Sequence, residues 1–327
     1  MTTNNAPARD HGVPLRDFDA LLALARTLKP KRIAVAAAND SAVLTALSEA
    51  KALGIAEYQL VGDRDSILAA AGAAGVAIDE STIIQEAIPE KAAVRAVTLV
   101  HEQKADIVMK GYLHSDDFLR AVLAKDTGLR AGPTISHVFI WEARQFGRLI
   151  FVTDGAMNIA PDIVTKANII MNSVHLASIF GVRKPKVALL AAVEMVNPAM
   201  PATLDAATLA KMCDRRQYSL PFFVDGPLAL DNALSPEAAA HKHITGPVAG
   251  HADILVTPDI EAGNMLSKSF VYLGGGTMAG VLVGAAAPVV LTSRADSARS
   301  KLCSIATAIL MSDVERNLHL KIGKVHY

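Results

Sequence analysis

A hydroxyl, a guanidinium and a carboxylate follow one short apolar run near the carboxyl end of the chain. Ser293, Arg294 and Asp296 come after Pro288–Leu291, whose branched apolar residues predict a buried strand. A helical run begins behind Asp296 or Ser297, and either residue could cap it. Because open α/β sheets bind ligands where a strand ends and a helix begins, this order predicts a ligand site.

A second polar stretch begins at Lys110, also directly after a predicted strand. It contains Lys110, His114 and Arg120, and a helix begins at Ser115. A helix N-terminus with cations nearby binds anions, because its first N–H groups lack helical partners and its dipole is positive there. The residues fit an alternative equally well, in which Ser115 only caps the helix and Arg120 is solvated.

Two further groups of residues carry weaker signals. Gly274–Gly276 precede an apolar run predicted as a helix, and at Gly275 the backbone could approach a phosphate. These glycines do not fit the dinucleotide fingerprint or the P-loop, and tight helix packing explains them as well. His241, His243 and His251 fit no standard metal motif and are predicted to lie in a solvated loop. No GxSxG elbow supports a Ser-His-Asp hydrolase.

Composition excludes several classes of protein. Lys plus Arg and Asp plus Glu both total 32 among 327 residues, so no global charge favours nucleic acid or an anionic membrane. Hydrophobic residues make up 51% and aromatic residues 5%, a mixture that suits buried parallel strands and close helix packing. Cys213 and Cys303 form no CxxC pair, which argues against a disulfide framework or a structural zinc site.

The charge-free run from Ser269 to Ser293 is long enough to span a bilayer. Gly274–Gly276 and Pro288 divide it, so a buried helix followed by a buried strand is the better prediction. The polar stretch Met1–Gly12 lacks the apolar segment of a secretory signal. We therefore expect a soluble, cytoplasmic protein with no membrane partner.

Strands and helices alternate along most of the chain. The first series runs from a strand at Arg32–Ala37 to one at Asp106–Met109, and a second begins at Leu149–Val152. It closes with the amphipathic helix Ser297–Met311. This alternation predicts an α/β fold with parallel sheets covered by helices, in which strand ends form one polar rim. No linker separates the two series, so we expect them to share a closely packed cleft.

Seven blocks of sequence occur in an order that resembles the phosphate acetyl/butyryltransferase family, and the likeness runs from about Lys31 to Met311. The residues of the first and last blocks resemble the butyryl branch more closely than the acetyl branch. The blocks are Lys110–Leu123, Val152–Asn158, Phe180–Leu190, Asp225–Asp231, Gly246–Gly250, Pro258–Asn264 and Thr292–Ser297.

The resemblance implies an α/β fold like that of the isocitrate/isopropylmalate dehydrogenases, with two domains, a cleft between them and a homodimer. Residues 1–145 and 280–327 would form a discontinuous first domain, and residues 146–279 the second. It further implies transfer of a short acyl group between coenzyme A and inorganic phosphate in a ternary complex, without a covalent acyl-enzyme. Coenzyme A would be a substrate, with no tightly bound cofactor, no metal and no nucleic-acid partner.

The chemistry assigns roles within the matching blocks. Ser293 would donate a hydrogen bond to the reacting carbonyl, while Arg294 and Arg120 would hold anionic groups of the substrates. Ser293 and Arg294 would face a gap lined by the Lys110–Arg120 segment. The substrate-binding residues predicted in this way are Lys110, His114, Ser115, Arg120, Asn264 and Gly275.

The chain departs from the acetyl-specific branch at three positions. The carboxylate that the branch carries seven residues beyond the reactive serine is Ser300 here, a cysteine of the branch is Gly155, and an arginine is Tyr272. Asp296 is therefore the predicted base that helps to form the coenzyme A thiolate. Two alternatives remain open: a phosphate acetyltransferase, or a non-catalytic acyl-CoA-sensing module. A dehydrogenase lacks support because the cofactor fingerprint and a metal-holding Asp cluster are missing.

Overall fold

A computed structural model describes residues 13–318 and 323–327, with side chains described up to Val314 and again from Gly323. The polar stretch Met1–Gly12 lies outside these residues. The helices and strands, in chain order, are α1 (Phe18–Ala25), β1 (Lys31–Ala36), α2 (Ser41–Ala52), β2 (Ala56–Gly62), α3 (Arg64–Ala74), β3 (Ile83–Gln85), α4 (Pro89–His101), β4 (Ile107–Lys110), α5 (Ser115–Val122), β5 (Ser136–Ala143), β6 (Arg148–Thr153), α6 (Ile163–Ile179), β7 (Lys186–Leu190), α7 (Pro201–Asp214), β8 (Phe223–Leu228), α8 (Leu230–Leu234), α9 (Pro236–His241), β9 (Ile254–Val256), α10 (Ile260–Tyr272), β10 (Met278–Val283), β11 (Val289–Val290) and α11 (Ala298–Leu318).

The chain forms two compact units. Unit I contains Phe18–Gly132 and Thr277–Asn317, and unit II contains Pro133–Gly276 with the described parts of both termini. The chain thus changes unit after Gly132 and after Gly276, whereas the sequence placed the domain boundaries after residues 145 and 279. All three predicted catalytic residues and the Lys110–Arg120 segment belong to unit I.

Unit I is built on strands in the order β3-β2-β1-β4-β11-β10. All neighbouring pairs are parallel except β10 and β11, which are antiparallel. The central strands are apolar runs that are buried almost throughout, which is the pattern of a sheet covered on both faces. The α/β class predicted from the sequence is confirmed.

One predicted element of unit I is wrong. The apolar run after Gly274–Gly276 was expected to be a helix, but Met278–Val283 forms strand β10. A short apolar run cannot be assigned by periodicity alone, because a buried strand and a buried helix segment have the same composition. Pairing decides here, since Val281 and Leu282 lie opposite Val290 and Val289 of β11.

Unit II contains strands in the order β5-β6-β9-β7-β8. Strands β5 and β6 form an antiparallel pair, and the remaining neighbours are parallel. Helix α10 stacks Phe270 on Trp141 of β5, with ring centroids 4.0 Å apart. Two short helices, α8 and α9, precede the predicted histidine loop: His241 ends α9, and His243 and His251 lie in the loop.

Aspartates that follow strands serve mainly as helix caps. Asp40, Asp63 and Asp259 each accept a hydrogen bond from an N–H in the first turn of the next helix. Such caps satisfy N–H groups that have no partner in the helix. At these three strand ends the aspartate therefore has a structural role, as the cap of the next helix.

Across residues 13–318 and 323–327, no helix is long and apolar enough to cross a membrane. Within the same residues, no group of His, Cys, Asp and Glu side chains could hold a metal ion.

Gly111 lets the end of β4 approach the loop behind β1. A Cβ at this position would lie 2.2 Å from the carbonyl oxygen of Ala37 and 2.6 Å from that of Ala36. Both are backbone atoms, so Gly111→Ala is expected to lower the free energy of unfolding by about 1–3 kcal/mol. Gly72→Ala is the matched control: its Cβ meets nothing within 4 Å on helix α3, and it is expected to stabilise by about 0.5–1 kcal/mol. Urea unfolding measures both, and equal midpoints for the two variants would contradict the close approach.

Candidate active site

The residues Ser293–Asp296 form a tight turn directly behind strand β11. The Ser293 N–H donates to Asp296 Oδ2 at 2.8 Å, and the Asp296 N–H donates to the Ser293 carbonyl at 3.1 Å. The Ala295 N–H donates to Ser293 Oγ at 3.3 Å. Ser293 and Arg294 are both exposed on this turn. The Asp296 carboxylate, predicted as the base, therefore also holds the backbone of the serine in place.

Helix α11 is capped by the residue after this turn. Ser297 Oγ accepts the Ser300 N–H at 3.1 Å, so Ser297 is the cap that the sequence left open between two candidates. Ser300, where the resemblance implies a carboxylate in the acetyl branch, is buried. The distance between its Oγ and the Oγ of Ser297 is 3.2 Å. The Ser300 hydroxyl therefore takes part in the helix cap.

A buried lysine of α11 binds the backbone of this turn. Lys301 is 1% exposed, and its Nζ donates to the Ser293 carbonyl at 2.7 Å. Burial lowers the pKa of Lys301, although the carboxylates of Asp40 and Asp296 act in the opposite direction. Sequence reasoning missed this residue. The available signal was a charged side chain at a core-facing position of an apolar helix.

Lys110 is the second buried lysine at this edge of the sheet. It ends β4, is 3% exposed, and lies in register with Ala36 of β1. Burial lowers its pKa to about 8, and the positive charges of Lys301 and Arg294 act in the same direction. Charges of Asp40 and Asp296 raise the pKa without cancelling these effects.

Arg294 is brought against the segment that follows β4. Its guanidinium carbon lies 5.7 Å from the ring centroid of Tyr112, which is within the range of a cation–π contact. Arg294 therefore lies beside the segment that begins at Lys110, while the gap predicted between Ser293–Arg294 and this segment stays a prediction. Tyr112 was not singled out from the sequence, because an aromatic residue in a loop carries no distinctive pattern.

The start of helix α5 has the form expected of an anion site, with one opposing feature. His114 occupies the N-cap position without a side-chain cap hydrogen bond, and His114 and Ser115 are both exposed. Two acidic residues, Asp116 and Asp117, lie in the first turn and already complement the helix dipole. The Arg120 side chain is 75% exposed and pairs with Asp117 at 2.9 Å, so it contacts an acid of its own helix.

Asn264 and Gly275, the other predicted binding residues, belong to unit II. Asn264 is half-buried on α10, and its amide donates to the Gly155 carbonyl at 3.0 Å. The N–H groups of Gly274, Gly275 and Gly276 donate to carbonyls of the last turns of α10. These glycines close a helix at its negative end, which argues against a phosphate contact there.

Unit II has a cavity of about 720 Å³ at the carboxyl ends of β7 and β9. Alanine, proline, leucine and methionine side chains form most of its wall. Lys166 in this wall is buried and pairs with Asp205 at 2.6 Å, so its charge is compensated. An anionic substrate group is better matched by the cations of unit I than by this cavity.

Comparisons with known proteins agree on one family. A family model described as Phosphate acetyl/butaryl transferase matches residues 80–309. The chain is 48% identical over 298 residues to a phosphate butyryltransferase of Clostridium acetobutylicum, covering 91% of this chain and 99% of that protein. It is 41% identical over 293 residues to a phosphate acetyltransferase of Rhizobium meliloti, covering 90% and 92% of the two chains.

A solved structure is similar over most of the fold. The crystal structure of a branched-chain phosphotransacylase from Enterococcus faecalis V583 matches with a TM-score of 0.75 and 33% sequence identity. The match covers 86% of this chain and 99% of that one. The matched regions of the family include both the segment that begins at Lys110 and the turn at Ser293.

Proposed function

Because the chain belongs to the phosphate acetyl/butyryl transferase family, we propose that it moves a butyryl group between coenzyme A and inorganic phosphate. The family resemblance inferred from the sequence blocks is confirmed, and the chain is an acyltransferase. Three relatives at 44–48% identity are named phosphate butyryltransferase or probable phosphate butyryltransferase, which supports the four-carbon acyl group.

One observation supports placing the reaction in unit I. The exposed Ser293–Arg294 pair stands on a turn at the end of parallel strands, and the buried Lys301 donates to that turn, so Arg294 and Lys301 both place a cationic side chain there. Acyl phosphate and coenzyme A are both anionic, so their encounter requires fixed positive charge. A hydroxyl at the same place can donate to the oxygen that becomes negative when the acyl carbon is attacked.

The remaining residues have roles that follow from this placement. Arg294 would hold a phosphate group, with His114, Ser115 and the first N–H groups of α5 receiving another anionic group. Arg120 would have to leave Asp117 to do the same, which an exposed side chain can do at small cost. Asn264 and Gly275 stay proposals from the resemblance, and the geometry at Gly275 favours a structural role.

The acyl group is tested by phosphate-dependent release of coenzyme A from acetyl-, propionyl- and butyryl-CoA. We expect kcat/KM to be highest with butyryl-CoA, by about ten- to two-hundredfold per favourable methylene at most. Highest activity on acetyl-CoA would instead support the acetyl reaction of the Rhizobium meliloti relative. Binding of coenzyme A without turnover of any of the three would support the acyl-CoA-sensing alternative.

We also propose that the enzyme is a cytoplasmic homodimer with coenzyme A as a diffusible substrate, as the family resemblance implies. Light scattering on the purified protein tests the assembly. A mass of twice the 34.4 kDa chain is expected, and a mass of 34.4 kDa would contradict the dimer.

A further inference from the structure

The surroundings of Lys110 are unusual for a side chain that serves only to attract anions. Its Nζ makes one long hydrogen bond within the described part of the chain, at 3.4 Å to the Gly111 carbonyl. The residue is 3% exposed, so bulk solvent contacts little of this side chain. An ammonium group has three donors and is strongly hydrated when charged. A buried site with so few acceptors stabilises the neutral amine relative to the ammonium.

Four charged groups from three elements face this lysine, and burial together with the two cations among them favours the neutral form. Lys301 comes from α11 and Arg294 from the turn behind β11; both disfavour a third positive charge. Asp40 caps α2 and Asp296 lies in the same turn as Arg294; both favour the charge. The two carboxylates are partly engaged, because each accepts a backbone N–H. Burial and the two cations prevail, and the pKa of Lys110 falls to about 8.

We propose that neutral Lys110 is the general base of the acyl transfer, taking the proton of the coenzyme A thiol and passing it to the departing phosphate oxygen. The proposal rests on the proposed function. Strand register supports the placement: Met109 lies opposite Val290, so Lys110 and Ser293 leave adjacent parallel strands at the same edge. A thiol whose sulfur approaches a carbonyl held by Ser293 would therefore come close to the end of β4.

The step balances without a further reactant. The thiol proton moves to the Lys110 nitrogen as the sulfur attacks the acyl carbon, and the carbonyl π electrons move to the oxygen that Ser293 stabilises. When the tetrahedral intermediate collapses, the bond from the acyl carbon to the phosphate oxygen breaks. The phosphate oxygen takes the proton from the lysine, which becomes neutral again. The reverse reaction uses the same neutral amine to deprotonate the attacking hydrogen phosphate.

The alternatives in the same turn are less suited to this task. Ser300 is a buried serine whose hydroxyl contacts Ser297, and a hydroxyl does not accept a thiol proton near neutral pH. Asp296 is an acceptor for the Ser293 N–H, so protonating it would weaken the turn that positions the serine. Lys301 is engaged with the Ser293 carbonyl at 2.7 Å. Lys110 combines burial, few partners and a pKa of about 8, and a base with a pKa not far from neutral transfers protons efficiently near neutral pH.

The decisive measurement is the pH dependence of kcat/KM in both directions. Because the amine is regenerated in each turnover, both directions require neutral Lys110 in the free enzyme. We expect kcat/KM to rise with pH through about 8 and then level off, whether butyryl-CoA and phosphate or butyryl phosphate and coenzyme A are supplied. The reaction of butyryl-CoA with phosphate is easier to interpret, because it starts without a free thiol that would itself titrate in this pH range. A lysine that only holds phosphate as a cation would give a fall above the same pH.

Three variants distinguish a general-base role of Lys110 from a role as a cation that binds the substrate. Lys110→Met and Lys110→Arg are both expected to lose about 10²–10⁴-fold in kcat, because neither side chain can accept a proton near pH 8. The rise near pH 8 should vanish in both, while coenzyme A binding by calorimetry stays within a fewfold of wild type. Lys110→Ala should regain activity with added methylamine but not with guanidinium. Lys104→Met, an exposed lysine at the opposite end of β4, is the control and should match wild type.

Each other outcome overturns the assignment. Full activity of Lys110→Arg, or a rise in the KM for phosphate with unchanged kcat in Lys110→Met, would identify a binding cation instead. Thermal unfolding confirms that each variant is folded, and Lys110→Met should be at least as stable as wild type because it removes a buried amine. If wild type itself turned over no acyl-CoA, the proposed function would fail. If wild type were active and Lys110→Met equally so, only the base would be wrong.

Discussion

Ser293→Ala is expected to lower kcat by about 10²–10³-fold, the usual cost of removing one donor to a developing oxyanion. The hydroxyl is exposed on the turn behind β11 and is free to turn toward a carbonyl oxygen. Its stabilisation is largest in the tetrahedral intermediate, when the oxygen carries negative charge. The loss should therefore be found in kcat, with little change in the KM for either substrate.

The fold of the turn should survive this change. Asp296 binds the Ser293 N–H and Lys301 binds the Ser293 carbonyl, and an alanine keeps both backbone groups. Among the contacts of residues 13–318 and 323–327, the change removes only the 3.3 Å hydrogen bond from the Ala295 N–H to the hydroxyl. Ser81→Ala is a matched control, because Ser81 is also an exposed serine in an aspartate-stabilised turn. A kcat within twofold of wild type for Ser293→Ala would show that the reaction does not use this hydroxyl.

Lys301→Met is expected to reduce kcat by about ten- to a hundredfold while leaving stability nearly unchanged. The ammonium donates a hydrogen bond to the Ser293 carbonyl at 2.7 Å, and bonds from charged donors contribute about 1.5–3 kcal/mol. Without this bond, the backbone of the turn is held less firmly and the Ser293 hydroxyl is positioned less precisely. The carbonyl keeps the Asp296 N–H as a donor, and methionine fills the volume of the lysine without a buried charge. The free energy of unfolding should therefore change by less than about 1 kcal/mol.

The same variant should also move the pH profile. The Lys301 charge lowers the pKa of Lys110, so removing it raises that pKa and shifts the rise in kcat/KM to higher pH. A purely structural role would lower activity equally at every pH. Steady-state rates between pH 6.5 and 9.5, with urea unfolding alongside, distinguish the two. If the pH profile of kcat/KM in Lys301→Met were not shifted, the charge of Lys301 would have no effect on the pKa of Lys110.

Local patterns predicted most of the strands and helices of unit I, and the site residues among them stay a prediction. The run of branched apolar residues before Ser293, and the polar residues that follow, specify the end of β11 and the start of α11 within a few residues. The strand–helix alternation from Arg32 to Met109 is confirmed with small shifts of the ends. Burial periodicity and helix capping depend on neighbours a few residues apart, so a sequence read by itself contains them.

Other features required pairing or packing between distant segments. Met278–Val283 is a strand because β11 pairs with it, and the glycines before it close a helix instead of approaching a phosphate. Asp296 was predicted as a base because it is the acid nearest to Ser300 in the sequence, while its hydrogen bond to Ser293 depends on how the turn folds. The structure, not the spacing, revealed that this carboxylate has a positioning role.

The amino-acid sequence by itself determined the α/β class, the family, and the presence of a serine and an arginine where a strand ends. Only the tertiary structure decided the electrostatics around them. Lys110 and Lys301 lie far apart in the chain, and neither position reveals that both amines become buried at the same edge of the sheet. A pKa depends on burial and on charges brought near by folding, so the protonation state of Lys110 is a property of the packed protein.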